Sequence, residues 1–184
     1  MEFLNITSEA TAIFFMWLLL PAGIHKLKPT SSFYYEVIAA GYGVRSPWLA
    51  HWAPKSIGFI EIIAAVLVVV PQFRNLGAML AGAILAAYLV MFLIQLLRGN
   101  SDTDCGCAGS EGSLKIGAPL VWRNSILCLL ALYCSQSSVS GQMSSSVVFW
   151  LLAGLTALML CLMYLSSEQL IGNAQKIQSI SRHK

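Results

Sequence analysis

Five apolar stretches, separated by short polar gaps, dominate this chain. They run over about 11–27, 54–70, 76–97, 119–134 and 147–165. A helix needs about 20 apolar residues to cross the roughly 30 Å hydrocarbon core of a bilayer. Each stretch therefore predicts a membrane-spanning helix. The first, second and fourth are a little short and call for snorkelling ends or a locally thin bilayer. Pro21 and Gly23 fall inside the first, where a packed membrane helix tolerates a kink. The gap from Pro29 to Pro54 is not a plain loop. Phe33, Tyr34, Val37 and Ile38 recur at helical spacing, and Tyr42, Trp48 and Trp52 are residues that settle at headgroup depth. This pattern predicts an interfacial amphipathic helix followed by a turn. Gly58, Ala64 and Ala65 in the second stretch, with Gly77, Ala81 and Ala86 in the third, predict close helix contacts.

The expected fold is all-α and integral to the membrane: a four-helix transmembrane bundle, a fifth C-terminal transmembrane helix, and the interfacial helix between helices 1 and 2. The chain reads as one domain over 1–184. A Ser/Gln/Gly-rich linker, 135–146, precedes the fifth helix, and a polar tail, 166–184, follows it. Composition strengthens the membrane reading, since 57% of residues are hydrophobic and 10% charged, less than half the charged share of a soluble domain. The net charge of +3 comes from Lys and Arg spread over loops and tails, with no run suited to nucleic acid. Met1 to Thr11 holds no Lys or Arg, so the positive region of a signal peptide is missing and the first stretch is expected to stay in the protein.

The longest gap without apolar bulk is Asp102-Thr103-Asp104-Cys105-Gly106-Cys107-Ala108-Gly109-Ser110. Two cysteines one residue apart can form a disulfide, bind a soft metal, or stay reduced and inert. A disulfide between positions i and i+2 closes a small, constrained ring, more oxidising than a structural bond. Gly106 frees the backbone to turn that tightly. So short a loop removes little chain entropy, which argues for redox work over stapling. Asp102 and Asp104 disfavour a thiolate, and Lys115 and Arg123 offset them if they fold back. The metal reading would take Cys105 and Cys107 as ligands of copper or zinc, completed by Asp102, Asp104 and His25 or His51. Neither histidine is near the motif in sequence, and a lone interfacial His is more often a hydrogen-bonded anchor. No metal is expected. Cys128, Cys134 and Cys161 read as structural. Cys128 and Cys134 point about 120° apart on one helix and cannot bridge, which leaves Cys128 as a conceivable electron relay.

Polar residues at membrane depth are a second signal. Glu61 lies within the second stretch, where a carboxylate must be paired, protonated or functional. Its candidate partners are Lys26, Arg123 and Asn124. Arg123 and Asn124 open the fourth stretch, shortly after the cysteine loop, and Trp122 beside them offers a ring for stacking. The bland alternative makes Arg123 an interfacial anchor and Glu61 half of a bundle-stabilising pair.

Several of these residues carry a resemblance. The chain resembles four-helix membrane proteins of the DoxX and MauE type over roughly residues 10–135. The first helix ends in a run of the same kind, Gly23-Ile24-His25-Lys26-Leu27-Lys28-Pro29, with Phe33 slightly displaced. A Glu sits in the second helix, at Glu61. Asp104-Cys105-Gly106-Cys107-Ala108-Gly109 is followed by Arg123-Asn124 at the head of the fourth helix. In outline the group is also similar to quinone-coupled thiol oxidases such as DsbB and vitamin K epoxide reductase, which use two cysteine pairs where this chain has one close pair. The resemblance implies a part in methylamine utilisation and a membrane thiol–disulfide oxidoreductase of the bacterial cytoplasmic membrane. Its partners would be a thioredoxin-like protein and that protein's own substrate. Cys105 and Cys107 would be the catalytic pair, and electrons would pass to a quinone held near Trp122, Arg123 and Glu61. Lys26, Asn124 and Asp104 would support the site. A non-enzymatic metal-binding or assembly protein is the alternative.

Orientation sets charge against chemistry. The segments 26–55, 98–123 and the tail share one side and hold all the Lys and Arg except Arg74. The positive-inside rule then puts the cysteine loop in the cytoplasm, where a stable disulfide is disfavoured. The resemblance implies the outer face, and that is the placement expected here.

Overall fold

The computed structural model describes residues 2–28, 32–99, 105, 114–136 and 147–182. The described helices are α1 (Glu2–Leu27), α2 (Ser32–Gly41), α3 (Pro47–Val69), α4 (Arg74–Leu97), α5 (Ala118–Gln136) and α6 (Val147–Arg182), with a 3-10 turn at Pro71–Phe73. No β-strand occurs among the described residues. All of these helices except α2 are long and apolar enough to cross a membrane. Their outer faces carry large exposed side chains such as Phe59, Val66, Met79, Leu129 and Met159. Such broad apolar surface suits lipid and not water.

The helix α1 packs along α3, α3 along α4, and α4 along α5, while α1 also touches α4 and α5; α6 lies against α1, and α2 folds onto α3. The core where they meet sets bulky Phe14, Phe15 and Leu19 of α1 against small Ala64, Ala65 and Ala81. Large side chains opposite small ones let backbones approach without a void. The approach is closest at two places. A Cβ on Gly23 would stand 2.6 Å from the Gly58 carbonyl oxygen, and one on Gly77 would stand 2.3 Å from the Val68 nitrogen. Ala86, expected at a helix contact, faces outward instead. It falls off the stripe formed by Gly77, Ala81 and Leu85, which faces inward.

Three helix ends differ from the hydropathy pattern. The start of α1 is Glu2, not residue 11, and Ser8, Glu9 and Thr11 are buried. Polar residues can enter the bundle there because Arg74 Nη2 donates to Glu9 Oε2 at 2.8 Å, and Arg74 Nε donates to the Val68 carbonyl at 3.3 Å. The start of α3 is Pro47, with Pro54 inside it, because a first-turn Pro loses no helical hydrogen bond. Finally, α6 continues to Arg182 through what the pattern leaves as a polar tail. At 36 residues it is about 54 Å long, well beyond one bilayer core.

The glycine contacts make a direct prediction. Gly77→Ala must push the α3 backbone away and should cost about 1–3 kcal/mol. Gly154→Ala, with nothing within 4 Å of the added carbon, should be neutral or stabilising by up to about 1 kcal/mol. Thermal unfolding midpoints of the two variants in detergent check the contrast.

Candidate functional site

Three helices, α1, α3 and α4, assemble a polar centre from the residues upward. Near the end of α1, Lys26 Nζ donates to both carboxylate oxygens of Glu61 on α3, at 3.0 and 2.9 Å. Both side chains are deeply buried, 5% and 1% exposed. The Gly23–Gly58 approach brings these two helices close enough for the pair to form. From α4, the Tyr88 hydroxyl donates to Glu61 Oε1 at 2.6 Å. The Lys26 ammonium also lies 5.8 Å from the centre of the Tyr35 ring and 5.6 Å from that of Tyr88, so two aromatic faces share its charge. A buried ion pair survives in an apolar setting only when its hydrogen-bonding capacity is met on all sides. Here Lys26, Tyr88 and two rings meet it.

Tyr88 faces two ways. Its hydroxyl reaches Glu61, while its ring stacks on Phe92, centroids 6.4 Å apart. Phe92 belongs to a second apolar cluster with Cys105, Leu114, Ile116 and Leu120, against which Tyr88, Tyr42, Val121 and Ile171 pack. Cys105 is 6% exposed. Its backbone N–H donates to the Leu114 carbonyl at 2.9 Å. The thiol position and the buried carboxylate are thus joined through one tyrosine. Cys107 and Asp104, the other motif residues expected at the site, lie outside the described residues.

The helix α2 covers this centre. Tyr35 is buried over Lys26, its hydroxyl 3.1 Å from His25 Nδ1. Gln95 Nε2 donates to the Gly41 carbonyl at 2.9 Å. His51 Nδ1 lies 2.7 Å from Glu36 Oε1, and Lys55 Nζ is 2.7 Å from His51 Nε2. The two histidines considered as metal ligands therefore serve as anchors for α2. Among the described residues no group of three or more His, Cys, Asp or Glu is placed to hold a metal ion.

The other expected residues scatter. Arg123 does not reach Glu61. Its Nη1 donates to Glu168 Oε1 on α6 at 3.2 Å, and its guanidinium lies 5.0 Å from the centre of the Tyr164 ring. Trp122 is 72% exposed. Leu120, Arg123, Asn124 and Leu127 take the inner face of α5, which turns position 122 outward. Asn124 is 2% exposed, and its amide nitrogen has no hydrogen-bond partner among the described residues. It sits between Leu120 of the Cys105 cluster and Leu127 of the main core. Tyr88 sits likewise between Leu85 and Phe92. Tyr88, Gln95, Glu9 and Glu168 join these networks without standing out in the sequence. The first two were findable, because Ala81, Leu85, Tyr88, Phe92 and Gln95 keep one helical stripe on α4.

Removing one half of the Lys26–Glu61 pair should cost far more than removing both. Lys26→Met strands a buried carboxylate and should cost about 3–5 kcal/mol. The double variant with Glu61→Met should recover most of that loss. A double-mutant cycle on unfolding in detergent measures the coupling, and additive losses would contradict the pairing.

The family model described as "Methylamine utilisation protein MauE" matches residues 4–136. The chain is 28% identical over 163 residues to "Methylamine utilization protein MauE" of Methylophilus methylotrophus, covering 88% of this chain and 84% of that one. It is 28% identical over 176 residues to the protein of the same name from Paracoccus denitrificans, covering 94% and 91%. No solved structure matches. The family match takes in α1 to α5, and with them the Lys26–Glu61 pair, the cysteine loop and Arg123-Asn124. On that match and its apolar helices, the chain belongs to the MauE family and is an integral membrane protein.

Proposed function

We propose that this protein is a membrane thiol–disulfide oxidoreductase serving methylamine utilisation, the process for which its relatives are named. In this reading α1, α3, α4 and α5 form a four-helix membrane core, α6 is a fifth helix on its flank, and α2 lies at the membrane interface. The observation that carries the proposal is the placement of Cys105. The residue that opens a Cys-Gly-Cys motif is buried on a cluster whose Tyr88 is hydrogen-bonded to a fully paired buried carboxylate. A structural cysteine needs no such polar support.

The chemistry follows thiol–disulfide exchange. A thiolate of a thioredoxin-like partner attacks the Cys105–Cys107 disulfide and forms a mixed disulfide. The partner's second thiolate then resolves it, leaving an oxidised partner and a Cys105/Cys107 dithiol. Restoring the disulfide removes two electrons and two protons, and a membrane quinone is the class of acceptor that suits them. Trp122, Arg123 and Glu61 do not converge on one site for such a ring: Trp122 faces outward, Arg123 engages Glu168, and Glu61 engages Lys26 and Tyr88. No step is assigned to them as a set. Asn124 Nδ2 is a buried donor suited to a carbonyl oxygen. Lys26, Glu61 and Tyr88 form one hydrogen-bonded network that fixes the Tyr88 ring against the thiol cluster.

Cys105→Ser should abolish disulfide formation in the partner's substrate, read in cells by the gel mobility of that substrate after thiol blocking. Wild-type oxidation in this variant would overturn the reading. The reading also places the cysteine loop on the outer face, against the excess of Lys and Arg on that side. After reduction with a phosphine that cannot cross membranes, an impermeant maleimide should label Cys105 or Cys107 in intact cells. Labelling only after permeabilisation would refute that placement.

A further inference from the structure

The stripe by which α6 meets its neighbours does not stop where its apolar run ends. Ala153 and Ala157 are buried, Cys161 and Tyr164 are half-buried, and Glu168, Ile171, Gly172 and Gln175 continue the same face. This spacing of three and four residues is that of one helix face. The continuation meets α5, the cluster that holds Cys105, and the 114–115 backbone. Glu168 Oε1 accepts from Arg123 at 3.2 Å. Ile171 packs on the cluster that holds Cys105. A Cβ on Gly172 would stand 3.5 Å from Leu114 Cδ2. Gln175 grips the backbone of Lys115 at both ends: its Oε1 accepts from the Lys115 N–H at 3.0 Å, and its Nε2 donates to the Lys115 carbonyl at 2.7 Å. The neighbouring Leu114 carbonyl is the one that accepts from Cys105 N–H at 2.9 Å.

A continuous chain of contacts therefore runs from Gln175 through the 114–115 backbone to Cys105. A merely solvated helical tail would not place both functions of one carboxamide on both backbone groups of one residue. We propose that the C-terminal arm of α6 is a positioning element for the cysteine motif. Gln175 and Glu168 are the positioning residues, and the arm sets how readily the Cys105 thiol reacts. This rests on reading Cys105 as the reactive thiol of the proposed function. With the arm seated, Cys105 is pinned by its backbone and shielded by Ile171. When the arm's grip is lost, the 114–116 segment loosens and the thiol becomes accessible.

The test uses the reduced full-length protein in detergent and follows iodoacetamide alkylation of each cysteine by peptide mass spectrometry. Gln175→Ala should speed alkylation of Cys105 about tenfold, the scale of two net hydrogen bonds lost from a local opening equilibrium. Gln175→Glu keeps the acceptor but loses the donor and should fall between. Exchanging charges in Arg123→Glu with Glu168→Arg should stay near the wild-type rate, while Glu168→Ala alone should raise it. Leu170→Ala, on the exposed face of the same arm, should leave the rate unchanged. Cys128 within the membrane core is the internal control. An unchanged Cys105 rate in Gln175→Ala overturns the proposal, and so does an equal rise at Cys128, which would mean general loosening. Alkylation does not depend on redox activity, so this result and that of the Cys105→Ser assay can fail separately.

Discussion

A charge buried in an apolar bundle must be matched where it stands, and the Lys26–Glu61 pair is the point from which this fold is laid out. Between membrane helices there is little hydrophobic driving force, since lipid is as apolar as a helix flank. Polar pairs and close backbone contacts then decide register. Lys26 and Glu61 fix α1 against α3 beside the Gly23–Gly58 contact, and Tyr88 ties α4 to the same carboxylate. Two more ion pairs, less deeply buried, repeat the device. Arg74 and Glu9 lock α4 to α1 near the other end of the bundle, and Arg123 and Glu168 lock α5 to α6. Such pairs add little net stability compared with apolar packing, but a shifted register would leave each charge unmatched.

The polar centre also divides the interior. On one side lies the core of phenylalanines and alanines, and on the other the smaller cluster that holds Cys105. Tyr88 and Asn124 mark the junction. Their positions on α4 and α5 each separate a residue of one cluster from a residue of the other. The cover supplied by α2 follows from the same centre. Tyr35 lies over the ammonium, and Tyr42, which the sequence suggests for headgroup depth, packs instead on the Cys105 cluster. Trp48 and Trp52 on the first turns of α3 remain exposed, as interfacial aromatics would be.

Much of this was legible from residues alone, and the misses have physical causes. Apolar runs located the spanning helices because the bilayer demands length and little else. Lys26 stood among three candidate partners for Glu61, and distance along the helices selected it. Trp122 was chosen for its chemistry, but one residue turns a helix by about 100°. With Arg123 and Asn124 facing inward, its neighbour faces out. The start of α1 was hidden because Ser8 and Glu9 look like loop residues until Arg74 is placed opposite them. The extension of α6 was hidden because its inward face is Glu, Ile, Gly and Gln, a stripe with almost no hydropathy signal. Its contacts show only once the 114–115 backbone is seen beside it.

That placement bears on the motif itself. In the proposed function the ring closed between Cys105 and Cys107 has few conformations, and its strain would make the disulfide easy to reduce. A bond that labile is useful only if the surrounding chain limits which thiols can reach it. The loop's own sequence, Asp, Thr, Gly and Ser around two cysteines, has no bulk with which to do so. The constraint has to come from other elements, and three supply it at Cys105: Phe92 and Tyr88 from α4, the 114–116 segment by backbone hydrogen bond, and Ile171 from α6. In the proposed function the selectivity of the thiol pair is thus a property of the bundle's end as a whole, and the buried ion pair fixes the position of the Tyr88 ring within it.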